Sequence, residues 1–390
     1  MKKIGIITVQ KALNYGAVLQ CYALEYYLTK LGYDCEVIDL CRPQHREFKK
    51  DKEYKPYPIV FSSLKEKIWY KARHLRSFIK TIIIPQAFKS YIFSIKNKKY
   101  KNSKFYKFEN FNKRIKFSQK YTSIKALYKN PPAYDIYMTG SDQLWNPTQD
   151  YCLEPYFLTF VQNGGKKVSY ATSIGLSQLP SNILNDFKKW LSSYDLISVR
   201  EKTACSMLTS IVNQPIYQTV DPTFLLTKEE WEEIAQENPH KKYLFYFTLG
   251  YRPDLFKFAQ SIASENELEL VYYAHNYYDR PHNQLKNGYF DLSPEEWLGL
   301  IKNAELIITD SFHGSVFSII FENNFISYVP PKSKRGSRIS DLLTKLNLSE
   351  HLINSTNLKQ YNINKPIDYV KVKNILSEEI MESHKFLSNL

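Results

Sequence analysis

Short apolar runs of strand type alternate with stretches of helical spacing along most of this chain, and that alternation narrows its possible folds more than any other feature. Residues 4–9, IGIITV, form the first run. From Gly16 to Leu31 the apolar residues Val18, Leu19, Tyr22, Ala23, Tyr26 and Tyr27 fall at helical spacing, and 35–40, CEVIDL, is a second run. The chain therefore opens with a β–α–β unit, because consecutive parallel strands need a crossover, usually helical. The run 134–138 then leads into a polar loop, 167–174 reads as a strand, and helix 181–193, strand 195–199 and helix 201–209 continue the pattern. Strands 243–248, 268–274, 305–309 and 325–329 alternate with helices 254–265, 294–302 and 314–322 in the second half. This grammar predicts an α/β protein of two Rossmann-like parallel-sheet domains with helices on both faces.

A length of 390 residues and an apolar content of 43% suit two domains with substantial cores. We place the first at 1–190 and the second at 191–366, with the boundary region at 178–215. In the final stretch Val370, Val372, Ile375, Leu376, Ile380 and Met381 recur at helical spacing. They predict a terminal helix within 367–390 that packs back on the N-terminal domain. No internal repeat or low-complexity tract suggests a solenoid.

Charge is concentrated in one segment. Residues 42–130 hold 25 Lys/Arg against 5 Asp/Glu, a net of +20, so with +14 for the whole chain the remainder carries −6. We read 42–130 as a basic helical insert in the first domain. Phe61, Leu64, Ile68, Ala72, Leu75, Ile79 and Ile82 form an apolar stripe that Lys67, Arg73, Arg76 and Lys80 avoid, a basic amphipathic helix. Aromatics from Phe88 to Phe111 interleave with lysines, which suits anionic headgroups or a lipid-linked diphosphate. The competing reading is a helical cap on the first sheet that keeps the protein soluble. Nucleic acid is not expected, since no RNP, KH or helix-turn-helix signature accompanies the charge. Cys21, Cys35, Cys41, Cys152 and Cys205 are odd in number and scattered, so reduced thiols in a cytoplasmic protein are expected, with no metal site. Neither a secretory leader nor a membrane-spanning run is legible.

The stretch Glu305 to Ser318, ELIITDSFHGSVFS, combines a buried strand, a tight polar turn and a helix. Open α/β sheets place ligands at that end of a strand. Gly314 permits close backbone approach, the helix start offers free N–H groups to an anion, and His313 exchanges a proton near neutral pH. As a purely structural turn, the same residues would be a helix cap at Asp310 or Ser311 and a hydrogen-bonded histidine strut.

The run Thr309-Asp310-Ser311-Phe312-His313-Gly314-Ser315-Val316 resembles the signature turn of the polysaccharide pyruvyl transferase family. Also similar, in the same order as in the family, are Asn14 to Gln20 (NYGAVLQ), Gly140 to Asn146 (GSDQLWN), Tyr170 to Gly175 (YATSIG), Ser198 to Glu201 (SVRE) and Val220 to Thr223 (VDPT). Together they reach from residue 5 to about residue 345, and the insert matches no motif. The resemblance implies a fold like that of the GT-B glycosyltransferases, an N-terminal acceptor domain and a C-terminal donor domain. It also implies transfer of pyruvate from phosphoenolpyruvate onto two sugar hydroxyls, forming a ketal in a lipid-linked capsule or exopolysaccharide repeat. Phosphoenolpyruvate is then the co-substrate and no cofactor is needed. The resemblance further implies that the work would be done in the cytoplasm at the inner face of the cell membrane, which residues 42–130 would touch.

Such chemistry needs cations for a trianionic donor and a group that moves protons. Arg200, at the end of strand 195–199, is the first donor-binding candidate, because a guanidinium grips a carboxylate or phosphate with two parallel hydrogen bonds. His313 is the expected general acid or base and a phosphate contact, with Asp310 or Asp221 orienting it or serving as a second proton carrier. Gly314 and Ser315 would cradle the donor. Some family members carry an arginine shortly before the histidine, where this chain has Ser311 and Phe312, so further cations must come from elsewhere. Gly336-Ser337-Arg338-Ile339 resembles a family stretch and makes Arg338 a candidate, with Lys332 beside it. Asn14, Gly16, Gln20, Asp142, Gln143 and Trp145 are expected to face the acceptor, Trp145 as a platform for a sugar ring. Core packing is the alternative for Trp145, and a turn-stabilising role for Asp142. The rival classes are a nucleotide-sugar glycosyltransferase on the same fold and a non-catalytic membrane-surface scaffold.

Overall fold

Four consecutive residues of β1 (Lys3–Ile7) are buried, as a strand covered on both faces requires. The structure is a computed structural model that describes residues 1–43, 45–52, 54, 98–149, 151, 153–162, 164–250, 252–274, 287–330, 337–356, 358 and 366–390. From β1 the chain enters α1 (Tyr15–Lys30), whose cap is the Asn14 side chain accepting from the Ala17 N–H at 3.2 Å, and then β2 (Asp34–Leu40). There follow α2 (Lys98–Asn112), β3 (Phe117–Tyr121), α3 (Ile124–Lys129), β4 (Ile136–Thr139), β5 (Lys166–Thr172), α4 (Leu184–Leu191), β6 (Leu196–Val199), α5 (Lys202–Thr209) and β7 (Ile216–Gln218). These strands make one parallel sheet in the order β3-β2-β1-β4-β5-β6-β7.

The short α6 (Lys228–Glu232) leads to β8 (Tyr243–Phe247), α7 (Pro253–Glu265), β9 (Glu269–Tyr273), β10 (Gly288–Tyr289), α8 (Pro294–Lys302), β11 (Leu306–Thr309), α9 (Phe312–Ile320), β12 (Asn324–Tyr328), α10 (Ser337–Lys345), β13 (Leu352–Ile353) and α11 (Tyr369–Ser388). The second sheet is also parallel, in the order β10-β9-β8-β11-β12-β13. In both sheets the chain winds outward from a central strand and then returns to that strand's other side. The switch points lie between β1 and β4 and between β8 and β11, the places where doubly wound sheets open a ligand crevice.

Two expectations need correction. A boundary at 190/191 would cut the first sheet, because β6 and β7 continue its register, Ile197 pairing with Ser169 and with Ile216. The first domain therefore extends through Gln218, and Arg200 belongs to it rather than to the donor half. The insert is not wholly helical either, since β3 pairs with β2 inside the sheet. The amphipathic stretch 61–82 lies outside the described residues. What is described of the insert bridges the domains: on α2, Lys104 Nζ donates to Tyr273 Oη at 2.8 Å and Lys107 pairs with Glu296 at 2.7 Å.

The terminal helix α11 lies against the first domain. The Phe386 ring stands 6.2 Å from Tyr170 and 5.4 Å from Tyr217, and Ser383 Oγ accepts from the Val220 N–H at 3.0 Å. Among the described residues no helix is long and apolar enough to cross a membrane.

Candidate active site

Arg200 follows directly on β6, and its N–H donates to Thr172 O on β5 at 3.3 Å, which aims the side chain out of the sheet's carboxyl edge. The guanidinium is almost fully enclosed. Nη1 donates to Asp221 Oδ2 at 2.5 Å, Nε donates to Glu201 Oε1 at 3.2 Å, and the plane lies 4.2 Å from the centre of the Phe312 ring. Nη2 is buried without a hydrogen-bond partner, with Asp142 Oδ1 4.0 Å away.

Asp221 stands at the start of a 3₁₀ turn, where its Oδ1 accepts from the Thr223 N–H at 3.1 Å and the Thr223 hydroxyl at 2.7 Å. Its Oδ2 receives Arg200 and lies 3.4 Å from His313 Nε2. Burial works to raise the Asp221 carboxyl pKa, but His313, Arg200 and the Thr223 hydroxyl outweigh it and hold it well below the usual range. These contacts hold Asp221 as the carboxylate.

His313 enters from the other domain on the first turn of α9, whose cap is the Ser311 side chain accepting from the Gly314 N–H at 3.2 Å. One edge of the imidazole rests on Gly16 of α1, where an added Cβ would fall 1.9 Å from Nδ1. Nε2 is buried and makes no well-formed hydrogen bond. Arg200 and His313 thus converge on one carboxylate oxygen from opposite domains.

Asp310, the other carboxylate considered, accepts from the Leu249 N–H at 2.5 Å and from Arg252 Nε at 3.0 Å. It ties the ends of β8 and β11 together, and the partner of His313 is Asp221. Burial raises its carboxyl pKa, against the pull of the Leu249 N–H and Arg252.

Arg338, on α10, lies 5.7 Å over the Phe312 ring, with Nη1 3.9 Å from Asp142 Oδ1. The Gln143 carboxamide, its oxygen turned toward Arg338, accepts from Nε and Nη2 at 3.2 and 3.3 Å. Asp142 adopts a left-handed φ of 72° and is bridged to Thr172. Its carboxyl pKa, which burial would raise, is lowered by Arg200, His313 and Arg338. Arg200, His313, Arg338, Asp142, Gln143, Asp221 and Gly16 therefore meet in one place. Lys332 lies outside the described residues.

Other expected contacts are spent elsewhere. Trp145 is fully buried, stacks on Phe157 at 4.9 Å and donates its indole N–H to Tyr156 O at 2.9 Å, so it packs the core and offers no platform to a sugar. Ser315 Oγ donates to Ser311 O at 3.1 Å and meets Ser327 Oγ at 2.7 Å, inside the domain. The close approach at Gly314 is to Thr309, where an added Cβ would lie 2.4 Å from the hydroxyl oxygen, not to a donor. Gln20 is buried and donates to Thr8 Oγ1 at 3.0 Å; Thr8 in turn donates to Ser141 O at 3.1 Å, so Gln20 braces the Asp142 loop from behind. Asn14 caps α1 and remains exposed at the crevice.

Sequence reasoning did not single out Ser141 or Phe312 as site residues, and it named Glu201 only as an ion-pair partner for Arg200, although all three lie within the matched stretches. Glu201 Oε1 accepts from the Ser173 hydroxyl at 2.6 Å as well as from Arg200, and its Oε2 is buried without a partner. Ser141 Oγ donates to Asp221 Oδ2 at 3.3 Å. Among the described residues no group of three or more His, Cys, Asp or Glu is arranged to hold a metal ion.

Two doubly wound parallel-sheet domains, with a polar site divided between them, define a GT-B-like α/β protein. Solved structures share the fold. UGT89C1 of Arabidopsis thaliana, complexed with quercetin, superposes with a TM-score of 0.52 at 11% identity, covering 100% of this chain and 98% of that one. S. aureus MnaA, solved with UDP, gives 0.52 at 15% identity with the same coverage. At such identities the likeness extends to the fold alone. No curated protein matches the chain. The sequence profile of the polysaccharide pyruvyl transferases matches residues 14–330, and the chain belongs to that family. Membership makes it a transferase.

Proposed function

We propose that the protein transfers pyruvate from phosphoenolpyruvate to two hydroxyls of a sugar in a surface-polysaccharide repeat. The observation that carries this reading is the meeting of Arg200 and His313 on Asp221 Oδ2. A permanent cation and a group able to move a proton at neutral pH share one buried anchor across the domain cleft.

In the reaction the methylene carbon of phosphoenolpyruvate gains a proton and becomes a methyl group, and the central carbon takes up positive charge. One sugar hydroxyl adds there and loses its proton. A second adds and loses its proton as the phosphate leaves; of the two protons lost by the hydroxyls, one replaces that taken up by the methylene carbon and the other goes with the phosphate, so the products are a pyruvyl ketal and hydrogen phosphate. His313, its imidazole held between Gly16 and Asp221 Oδ2, is the group that would give or take a proton. Nη2 of Arg200 and the guanidinium of Arg338 grip the oxyanions of the donor. Asp221 holds Arg200 and His313 in register, which concentrates their effect on the bound donor.

Three carboxylates, Asp142, Asp221 and Glu201, offset much of the local positive charge. The added cations that a trianion requires stand in the neighbouring sequence as Lys332, Lys334 and Arg335. The +20 segment favours work at an anionic membrane face on a lipid-linked acceptor, each surface Lys or Arg contributing about 1 kcal/mol near anionic lipid.

Phosphate release with phosphoenolpyruvate and a broad panel of sugar acceptors tests the reading. Release must depend on the acceptor and vanish in His313→Ala. If no acceptor stimulates release, and a sugar nucleotide rather than phosphoenolpyruvate protects the protein against thermal unfolding, the site is that of a glycosyltransferase.

A further inference from the structure

Glu201, 4% exposed, lines a cavity of about 50 Å³ together with Arg200, Asp221, Phe312 and Arg338. It stands at the cap position of α5, but its side chain makes no capping hydrogen bond there. Instead Oε1 accepts from the Ser173 hydroxyl at 2.6 Å and from Arg200 Nε at 3.2 Å, while Oε2 is buried without a partner. A buried carboxylate oxygen left unpaired costs free energy, so stability alone is a poor reason for a glutamate here.

The geometry instead accounts for the orientation of the Arg200 guanidinium. Nε is taken by Glu201, Nη1 by Asp221 and one face by the Phe312 ring at 4.2 Å, which leaves Nη2 as the nitrogen without a hydrogen-bond partner. An arginine fork recognises an oxyanion through the direction of its N–H bonds, so the plane must be held still before Nη2 can be aimed. One contact at Nη1 lets the plane swing, and a second at Nε stops it. The two holds differ in origin. Asp221 is shared with His313 of the second domain, whereas Glu201 is tied to Ser173, which follows β5 in the same sheet that carries Arg200. Ser173 also donates its N–H to Asp142 O at 2.9 Å and so fixes the loop whose Gln143 meets Arg338.

We infer that Glu201 is a positioning residue for the donor: it locks the Arg200 guanidinium so that Nη2 faces the bound oxyanion, and Ser173 holds Glu201 in place. The inference rests on the pyruvyl-transfer reading of the site, and it assigns donor affinity to a residue that touches no substrate. As a mere counter-charge to Arg200, Glu201 would act with the opposite sign, because its negative charge repels an anionic donor and its loss would tighten binding.

Titration calorimetry of the full chain with phosphoenolpyruvate and, separately, with inorganic phosphate reads that sign. Glu201→Ala should weaken both anions at least about tenfold, the scale of one hydrogen bond to a charged group. Glu201→Gln, which keeps an acceptor for Nε and for Ser173, should restore binding to within about threefold of wild type. In turnover, KM for phosphoenolpyruvate should rise in Glu201→Ala ahead of any loss in kcat. In an Arg200→Lys background, where the fork is absent, Glu201→Ala should cost nothing further. Ser173→Ala keeps every charge and should weaken both anions by a smaller factor; it carries the test if Glu201→Ala does not fold. The inference is overturned by a Glu201→Ala protein that binds as tightly as wild type or tighter, by Glu201→Gln as weak as Glu201→Ala, by an undiminished loss in the Arg200→Lys background, or by unchanged binding in Ser173→Ala. If wild type binds phosphoenolpyruvate but the variants fail this order, the role of Glu201 falls and pyruvyl transfer stands. If inorganic phosphate binds and follows the order while phosphoenolpyruvate does not bind, pyruvyl transfer falls and the role of Glu201 stands. If neither anion binds wild type, both fall.

Discussion

Replacing Gly16 with alanine is the sharpest probe of the candidate site, because the competing effects have opposite signs. In a helix free of obstruction the change would add up to about 1 kcal/mol of stability, since alanine is the better helix former. Here the new Cβ would lie 1.9 Å from His313 Nδ1, 2.3 Å from Cγ and 2.7 Å from Cε1. Ordinary contact begins near 3.4 Å, so the ring must retreat by about 1.5 Å. His313 is 7% exposed and backed by its own helix, and any retreat shifts Nε2 from its place 3.4 Å from Asp221 Oδ2. Overpacking of this kind costs roughly 1–3 kcal/mol, enough to cancel or exceed the helix gain. A displacement near 1 Å in a proton-transferring group costs on the order of 100-fold in rate. We expect kcat for acceptor-dependent phosphate release to fall about 100-fold, KM for phosphoenolpyruvate to change little because Arg200 is untouched, and the melting temperature to stay level or drop. In His313→Ala the same change should add no further loss in rate, because the two substitutions act through one group. A Gly16→Ala protein that melts higher than wild type and turns over within about twofold of it would refute the geometry.

Three further outcomes follow from the same contacts. Asp221→Asn takes from the buried Arg200 guanidinium its nearest counter-ion and leaves it Glu201, so unfolding free energy should drop by up to about 3–5 kcal/mol in urea titrations. Because the Asp221 pKa is lowered on folding, its stabilising contribution is complete above the unfolded value near ~3.9 and is lost as pH falls toward the folded one; acid titration of Asp221→Asn should lack that component. Burial lowers the Lys104 pKa to about 8, against a smaller pull from Asp291, so the folded state sheds this proton before the unfolded state does. Stability should then rise as pH climbs from about 8 toward ~10.5, by at most ~3 kcal/mol, since the rings of Tyr15, Phe108 and Tyr273 favour the ammonium; the rise should be absent from urea midpoints of Lys104→Met. Trp145→Phe should lower stability by roughly 0.5–1.5 kcal/mol through the lost indole hydrogen bond, Tyr156 O keeping the Thr139 hydroxyl, and leave KM for every acceptor unchanged; a raised acceptor KM would return Trp145 to the binding surface.

Much of the architecture was legible because parallel strands buried on both faces read as continuous apolar runs, and IGIITV and ELIIT each became a strand at a switch point. The misplaced boundary has a physical cause. A run such as Leu196–Val199 announces a strand but not the sheet it joins, and β7, three residues with half-exposed side chains, carries almost no periodic signal. β3 was hidden for a similar reason, since FSQKY sits at the sheet edge, partly exposed, within a run of lysines. Strand ends marked Arg200 and His313 as candidates, and the structure brings the two together, yet sequence spacing does not show which carboxylate faces the histidine. Asp310 is the near neighbour in sequence, but its place directly after β11 turns it toward Leu249 and Arg252, and Asp221 arrives from the other sheet. Trp145 misled because its polar neighbours suggest an open loop, whereas the loop folds over Phe157 and takes the indole inside.

The division of the site explains why so many of these contacts cross between domains. Asp221 Oδ2 joins an arginine fixed to the first sheet and a histidine fixed to the second, so the distance between the two functional groups is set by the relative position of the sheets. Contacts that hold the sheets in place therefore act on the chemistry even where they lie far from it. Tyr15 is such a contact: its ring stacks on Trp297 at 5.1 Å and its hydroxyl donates to Leu292 O at 3.0 Å, one residue before the glycine on which His313 rests. A change at Tyr15 should thus lower kcat ahead of donor affinity, because it loosens the approach of α9 to α1 while Arg200 keeps its hold within the first domain.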